Sequence, residues 1–185
     1  MTANPSPPAD ERLRSGESAI IVPVELPVAA RQLRDRLDPE AARGVPAHIT
    51  LLYPFVPPDA LSDDLRADLR RLIGAHPAFP FTLARVERWP AVVWLAPEPA
   101  APFSRLIDDL RAAYPAYPPY GGIHDEVIPH LTIAQDPRPG YLEAAEHALP
   151  GLLPIRGVTR EAWLIAHSPA ERWHTLWRLP LAATR

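Results

Sequence analysis

The chain has 185 residues, 47% of them hydrophobic, and a net charge of −3. That is enough apolar material for one real core, and too little chain for several large domains. The near-neutral charge excludes a protein that coats long nucleic acid through many phosphate contacts, while a nucleotide or a single RNA end stays open.

There is no cysteine, so disulfides, thiolate nucleophiles and cysteine-bound zinc or iron–sulfur centres are excluded together. His, Asp, Glu, Ser, Thr and Tyr must carry any chemistry. The 19 basic residues are all arginine and 26 residues are proline; with the Ala-rich background, both read as genomic compositional bias. No apolar run approaches a membrane span, and the start lacks the apolar core of a signal peptide. The expectation is a soluble, cytoplasmic monomer with no membrane partner.

Residues 1–17 read as a disordered tail and 18–185 as one bilobal domain, its halves about 18–98 and 99–185. Ala19 to Leu26 is rich in β-branched residues and reads as a strand, with Pro23 at an edge or bulge. An Arg-rich helix follows over 29–37. HITLLYPF, residues 48–55, alternates like a strand and stops before Pro57-Pro58. Leu61, Leu65, Leu69, Leu72 and Ile73 recur at helical spacing, with Ser62-Asp63-Asp64 at the start and Gly74 at the end. Residues 79–96 give two strands joined at Trp89-Pro90.

The order then returns. Phe103, Leu106, Ile107, Leu110 and Tyr114 make an amphipathic helix, and the loop PAYPPYGGIHDEVIP leads into a strand, HLTIAQ, at residues 130–135. A weaker helix spans 140–149. GVTREAWLIAH and RWHTLWRLPL close the chain as a hairpin around Ser168-Pro169-Ala170-Glu171. Trp94 lies 46 residues past His48 (94 minus 48) and Trp177 lies 47 past His130 (177 minus 130), so their strands are expected at matching places. The pattern is a degenerate internal duplication, with an α+β architecture of two pseudo-symmetric antiparallel-sheet lobes, helices outside and a central cleft.

The repeated phrase carries the chemistry. Successive strand side chains point to opposite faces, so His48 and Thr50 share one face and Ile49 and Leu51 the other. His130 and Thr132 are arranged alike, against Leu131 and Ile133. Each motif sets an imidazole and a hydroxyl about 6.5 Å apart along a strand. Facing each other across a cleft, one neutral His takes a proton from the attacking oxygen and one protonated His gives a proton to the leaving oxygen, while the two Thr hydroxyls hold the phosphate. This scheme needs no metal and no cofactor.

The paired His-x-Thr, each copy flanked by apolar residues and closely preceded by Pro46 or Pro129, together with the YGG…PHLT approach to the second, resembles the two-histidine phosphoesterase superfamily, in particular its 2′-5′ RNA ligase-like branch. The resemblance implies a bilobal α+β fold around a water-filled cleft, with metal-independent phosphodiesterase activity on 2′,3′-cyclic phosphates or 2′-5′ linkages of RNA or nucleotides. By that resemblance His48 and His130 form the acid/base pair, and Thr50 and Thr132 bind the phosphate; which His is the base stays open. A non-catalytic RNA-end or nucleotide binder on the same fold is the alternative.

Around the motifs, Tyr53 and Phe55 are expected in the core by alternation. Tyr117 and Tyr120 are expected at the cleft, as possible substrate contacts. On the last strand Trp173, Thr175 and Trp177 are expected to face the core, leaving Arg172 or Arg178 as possible phosphate contacts. His124-Asp125-Glu126 reads as a solvated loop and not a metal site, because adjacent residues seldom point at one ion. His76, His147 and His167 are expected at the surface.

Overall fold

A computed structural model describes residues 16–123, 126–136, 140–167 and 172–183. Among these residues eight strands fall into two sheets, in which every neighbouring pair is antiparallel. The first contains β1 (Glu17–Pro23), β2 (His48–Leu52), β7 (Glu161–His167) and β8 (His174–Pro180), in the order β2-β1-β7-β8. The second contains β3 (Phe79–Trp89), β4 (Val92–Glu98), β5 (Leu131–Gln135) and β6 (Ile155–Thr159), in the order β5-β4-β3-β6. The α+β architecture with two antiparallel sheets matches the sequence expectation.

The sheets are not the two halves of the sequence. Each takes two strands from either side of residue 98, because β3 and β4 pair with β5 and β6 while β7 and β8 return to β1. One consequence is that the strands bearing Trp94 and Trp177 are not equivalent: β4 lies beside β5, whereas β8 sits at the edge farthest from β2. Another is that GVTREAWLIAH is two strands, not one. Ile155–Thr159 pairs with β3 and Glu161–His167 with β1 and β8, the chain changing sheets at Arg160. Gly157 fixes the first of these pairings, since a Cβ there would lie 2.5 Å from Phe81 Cζ.

The helices form where the sequence places them. Helix α1 (Val28–Leu37) is followed by the short α2 (Pro39–Ala42), which Asp38 caps by accepting from the Glu40 N–H at 3.0 Å. Helix α3 (Asp63–Gly74) starts at Ser62, whose hydroxyl accepts from the Leu65 N–H at 3.2 Å, with Asp63 and Asp64 in its first turn. Helix α4 (Ala101–Ala113) buries Phe103, Leu106, Ile107 and Leu110, and α5 (Tyr141–Ala148) buries Leu142 and Ala145. Helix α1 packs on β5 and α4 on β2, so each motif strand is backed by a helix from the other half of the chain. No helix among the described residues is long and apolar enough to cross a membrane.

β1 starts at Glu17, ahead of Ala19, because Ser18 is buried with its hydroxyl donating to Val56 O at 2.6 Å and its carbonyl accepting from the Phe55 N–H at 2.9 Å. The main core runs through both sheets, with Ile49, Leu51, Leu131 and Ile133 wholly inside. A second, smaller apolar cluster of Ala19, Ile21, Val45 and Ile165 sits on the other face of the first sheet. A register shift between Leu164 and Ile165 changes the faces of β8. Trp177 therefore packs on the main core while Trp173 joins the smaller cluster, against the expectation that both share one face.

Candidate active site

β2 and β5 are edge strands of their sheets and lie against each other. Alternation along β2 buries Ile49 and Leu51 and leaves His48 and Thr50 half-buried on the opposite face. Along β5, Leu131 and Ile133 are buried and Thr132 is half-buried, with His130 just ahead of the strand. The two motifs thus meet: His48, Thr50, His130 and Thr132 all line one cavity of about 310 Å³.

Each imidazole is held in the same way. His48 Nδ1 is 2.7 Å from Pro46 O, and His130 Nδ1 is 2.7 Å from Ile128 O, in both cases the carbonyl two residues earlier. A carbonyl only accepts, so Nδ1 carries the proton and donates it, and in the neutral ring Nε2 is the basic nitrogen. His48 Nε2 lies 3.1 Å from Thr50 Oγ1, which donates to it. Burial pushes His48 down to about 4, against the pull of its bond to Pro46, and the Arg34 and His130 charges add to the lowering. Burial also lowers His130, opposed by its bond to Ile128.

The surroundings of the two rings differ. The cation that acts on His48 is Arg34, whose buried guanidinium bonds Asp38 Oδ2 at 2.7 Å and Val45 O at 3.0 Å. Burial raises the Asp38 carboxyl, and Arg34 opposes that rise. His130 instead makes T-shaped contacts with two indoles, its ring centroid 4.7 Å from Trp89 and 5.8 Å from Trp94.

Tyr120 reaches the cavity through a short 3₁₀ turn, Pro119–Gly122, in which it adopts the left-handed region at φ 52° and Gly121 follows at φ 67°. Its N–H donates to Tyr53 O at 2.5 Å and its phenol hydrogen-bonds Thr50, while burial pushes the phenol up. The other three possible contacts lie elsewhere. Tyr117 packs edge-on to Phe55 at 5.5 Å, on the core side. Arg178 lies on the Trp163 ring, 4.8 Å from its centroid, and 3.5 Å from Glu161. Arg172 is exposed and is not a lining residue of the cavity.

Several lining residues escaped the sequence reading. Tyr53 was expected in the core, but β2 ends at Leu52, so alternation no longer governs the next side chain; Pro54 was the available signal. Its hydroxyl donates to Glu17 Oε2 at 2.8 Å, and burial, then Glu17, pushes the phenol up. Phe55 is buried, as expected. Glu17, Arg43 and Trp173 complete this end of the cavity. His76 and His167 are not free surface residues: His76 Nε2 is 3.0 Å from Asp109, and His167 Nε2 is 3.7 Å from Glu17.

Among the described residues no group of three or more His, Asp or Glu is placed to hold a metal ion. His124 and Asp125 lie outside the described residues. A larger groove of about 1210 Å³, walled by Pro23, Pro27, Pro46, Pro80 and Pro154, holds none of the four motif side chains.

A family model described as the 2′-5′ RNA ligase superfamily matches residues 22–171. No curated protein matches the chain. Among solved structures, TT0787 of Thermus thermophilus is 20% identical with a TM-score of 0.58, the match covering 91% of this chain and 100% of that one. E. coli LigT in its apo form is 22% identical with a TM-score of 0.54, over 90% of this chain and 98% of its own. A structure described as a phosphoesterase is 22% identical with a TM-score of 0.54, over 90% and 99%. These likenesses are of fold.

Proposed function

The chain belongs to the 2′-5′ RNA ligase superfamily, of the two-histidine phosphoesterases, and on that premise we propose that it is a metal-independent phosphodiesterase acting on 2′,3′-cyclic phosphate or 2′-5′ linked RNA or nucleotide substrates. The observation that carries this reading is the meeting of both His-x-Thr pairs in one 310 Å³ cavity. E. coli LigT, 21% identical, has been solved in complex with 3′-AMP, which supports a nucleotide as the ligand class.

The surroundings of the two rings divide the labour. Burial pushes both imidazoles toward the neutral form, and an anionic phosphate between them favours the return of one proton. Arg34 opposes that proton on His48. No cation is among the causes that lower His130, where burial is opposed by the bond to Ile128. His48 is then the base and His130 the acid.

His48 Nε2 takes a proton from water as the water oxygen bonds to phosphorus. The bond from phosphorus to one ribose oxygen breaks, and His130 gives its proton to that oxygen. On substrate binding the Thr50 hydroxyl turns from His48 Nε2 to a non-bridging oxygen, which frees that nitrogen as base, and with Thr132 it holds the group in line. His48 ends protonated and His130 neutral; exchange with solvent resets both.

Incubation with 2′,3′-cyclic nucleotides and short 2′-5′ RNA, with and without chelator, tests this. Chelator-resistant turnover in the wild type, lowered ~10²-fold or more in His48→Ala and in His130→Ala, is expected. Equal turnover in the variants removes the reading, and nucleotide binding without any turnover favours a non-catalytic binder.

A further inference from the structure

The two imidazoles are tethered differently. His48 is bonded at both nitrogens, Nδ1 to Pro46 O and Nε2 to Thr50 Oγ1. His130 is bonded at Nδ1 to Ile128 O, and among the described residues its Nε2 has no hydrogen-bond partner. A ring held at one point can still turn about that bond, and a proton donor that turns loses its alignment with the leaving oxygen. We propose that Trp89 is the positioning residue of His130: its indole fixes the orientation of the imidazole about the bond to Ile128 O and shields the ring from water. This role rests on reading the cleft as a phosphoesterase site.

Two ring contacts support it. The Trp89 and His130 centroids are 4.7 Å apart at an interplanar angle of 75°, and Trp94 meets the same imidazole at 5.8 Å and 69°. The indoles also pack on each other, 4.7 Å apart. Near-perpendicular packing by two large rings leaves the imidazole little room to turn. Neither indole is among the residues that line the motif cavity, so their effect on a substrate passes through His130. Trp94 is buried and Trp89 half-buried, so replacing Trp89 opens the imidazole to water without emptying the core.

Strand register puts Trp89 where this contact needs it. It is the last residue of β3, and its cross-strand partner on β4 is Val92. Trp94, two residues beyond Val92, is the cross-strand partner of Thr132 on β5, so both indoles share the sheet face that carries Thr132. The turn beside Trp89 is pinned to its neighbours. Arg88 reaches Glu146 at 2.7 Å and Glu143 at 3.1 Å on α5, and the Asp136 N–H, just past β5, donates to Ala91 O at 3.1 Å. A tip tied to the end of β5 keeps its place relative to the motif strand.

Across the cavity His130 shares its surroundings with His48, Tyr120 and the charged end around Glu17 and Arg43. On its own sheet Glu87, the cross-strand partner of Trp94, is paired with Arg85 at 3.1 Å. None of these groups changes in a Trp89 variant, so a shift in the titration of His130 reports water reaching the ring.

The test titrates the imidazoles of the full chain by NMR, with His130→Gln assigning the His130 signals, and follows turnover of a nucleoside 2′,3′-cyclic phosphate. In Trp89→Leu the His130 pKa should rise toward the ordinary 6.5, because burial is what lowers it. At the pH optimum kcat should fall ~10-fold or more while KM stays within ~2-fold. The basic limb of kcat/KM should move up with His130, since the acid then keeps its proton to higher pH. Trp89→Phe, which keeps a ring at the site, should recover most of the loss. An unmoved His130 pKa, an unchanged kcat, or a loss that falls on KM overturns the proposal. Where Trp89→Leu does not fold, Trp89→Met carries the same test. If the wild type turns over no substrate, the phosphodiesterase reading fails by itself, and the imidazole nitrogen shifts decide the role of Trp89. The Nδ1–H tautomer of His130 should dominate in the wild type and mix with Nε2–H in Trp89→Leu; the same tautomer ratio in both overturns it.

Discussion

Arg34 and Asp38 form a nearly dry ion pair, with side chains 4% and 2% exposed, whose cation helps to lower His48. Breaking such a pair on one side leaves the other charge buried alone, which costs about 3–5 kcal/mol. Arg34→Met should lower the unfolding free energy by that order in a urea titration. It should also raise the acidic-limb pKa of kcat/KM, because the cation that disfavours protonation of His48 is gone; a role in packing alone would leave that limb in place. At this scale the sequence was most legible where alternation applied. His48, Thr50, His130 and Thr132 were found because a repeated strand pattern marks one face. Glu17, Arg43 and Trp173 come from three distant segments, joined only by the fold, and Arg34 read as one arginine among many on a helix.

The loop from α2 into β2 depends on one backbone conformation. Gly44 sits at φ +94°, and a Cβ there would lie 2.9 Å from Trp173 O. Gly44→Ala therefore combines left-handed strain with a backbone clash, and should cost about 1–3 kcal/mol in thermal or urea unfolding. Because it pushes Trp173 and Arg43 apart, KM for nucleotide substrates should rise as well. Gly157→Ala is the matched control. Its Cβ would meet the Phe81 ring at 2.5 Å, away from the motif cavity, so it should destabilise through overpacking by about 1–3 kcal/mol with no selective rise in KM. Helices and strands were legible in place and type because their apolar periods are strong. Their pairing was not, since the exchange of β7 and β8 for β3 and β4 is set by long-range contacts. The eleven residues of GVTREAWLIAH, moreover, have no Gly or Pro at the crossing from β6 to β7.

At the scale of the whole molecule, placing two imidazoles between two sheets ties stability to pH. His48 is pushed from the ordinary 6.5 to about 4, and His130 is lowered too, both chiefly by burial. A histidine whose folded pKa lies below its unfolded one binds more protons in the unfolded chain, so stability rises with pH inside that window. For His48 the contribution is present above about 6.5 and is lost as pH falls toward 4. Between pH 7 and pH 5 this single group should cost roughly 2 kcal/mol, and His130 adds to it with the same sign. Other groups titrate below pH 5, so the comparison belongs between 5 and 7 and against a variant. Urea midpoints for the wild type should fall over that range more steeply than those of His48→Gln, which has no proton to take up. Equal slopes would mean that His48 titrates normally in the folded chain. Inorganic phosphate should narrow the difference, because an anion held between the rings stabilises the protonated form that burial disfavours.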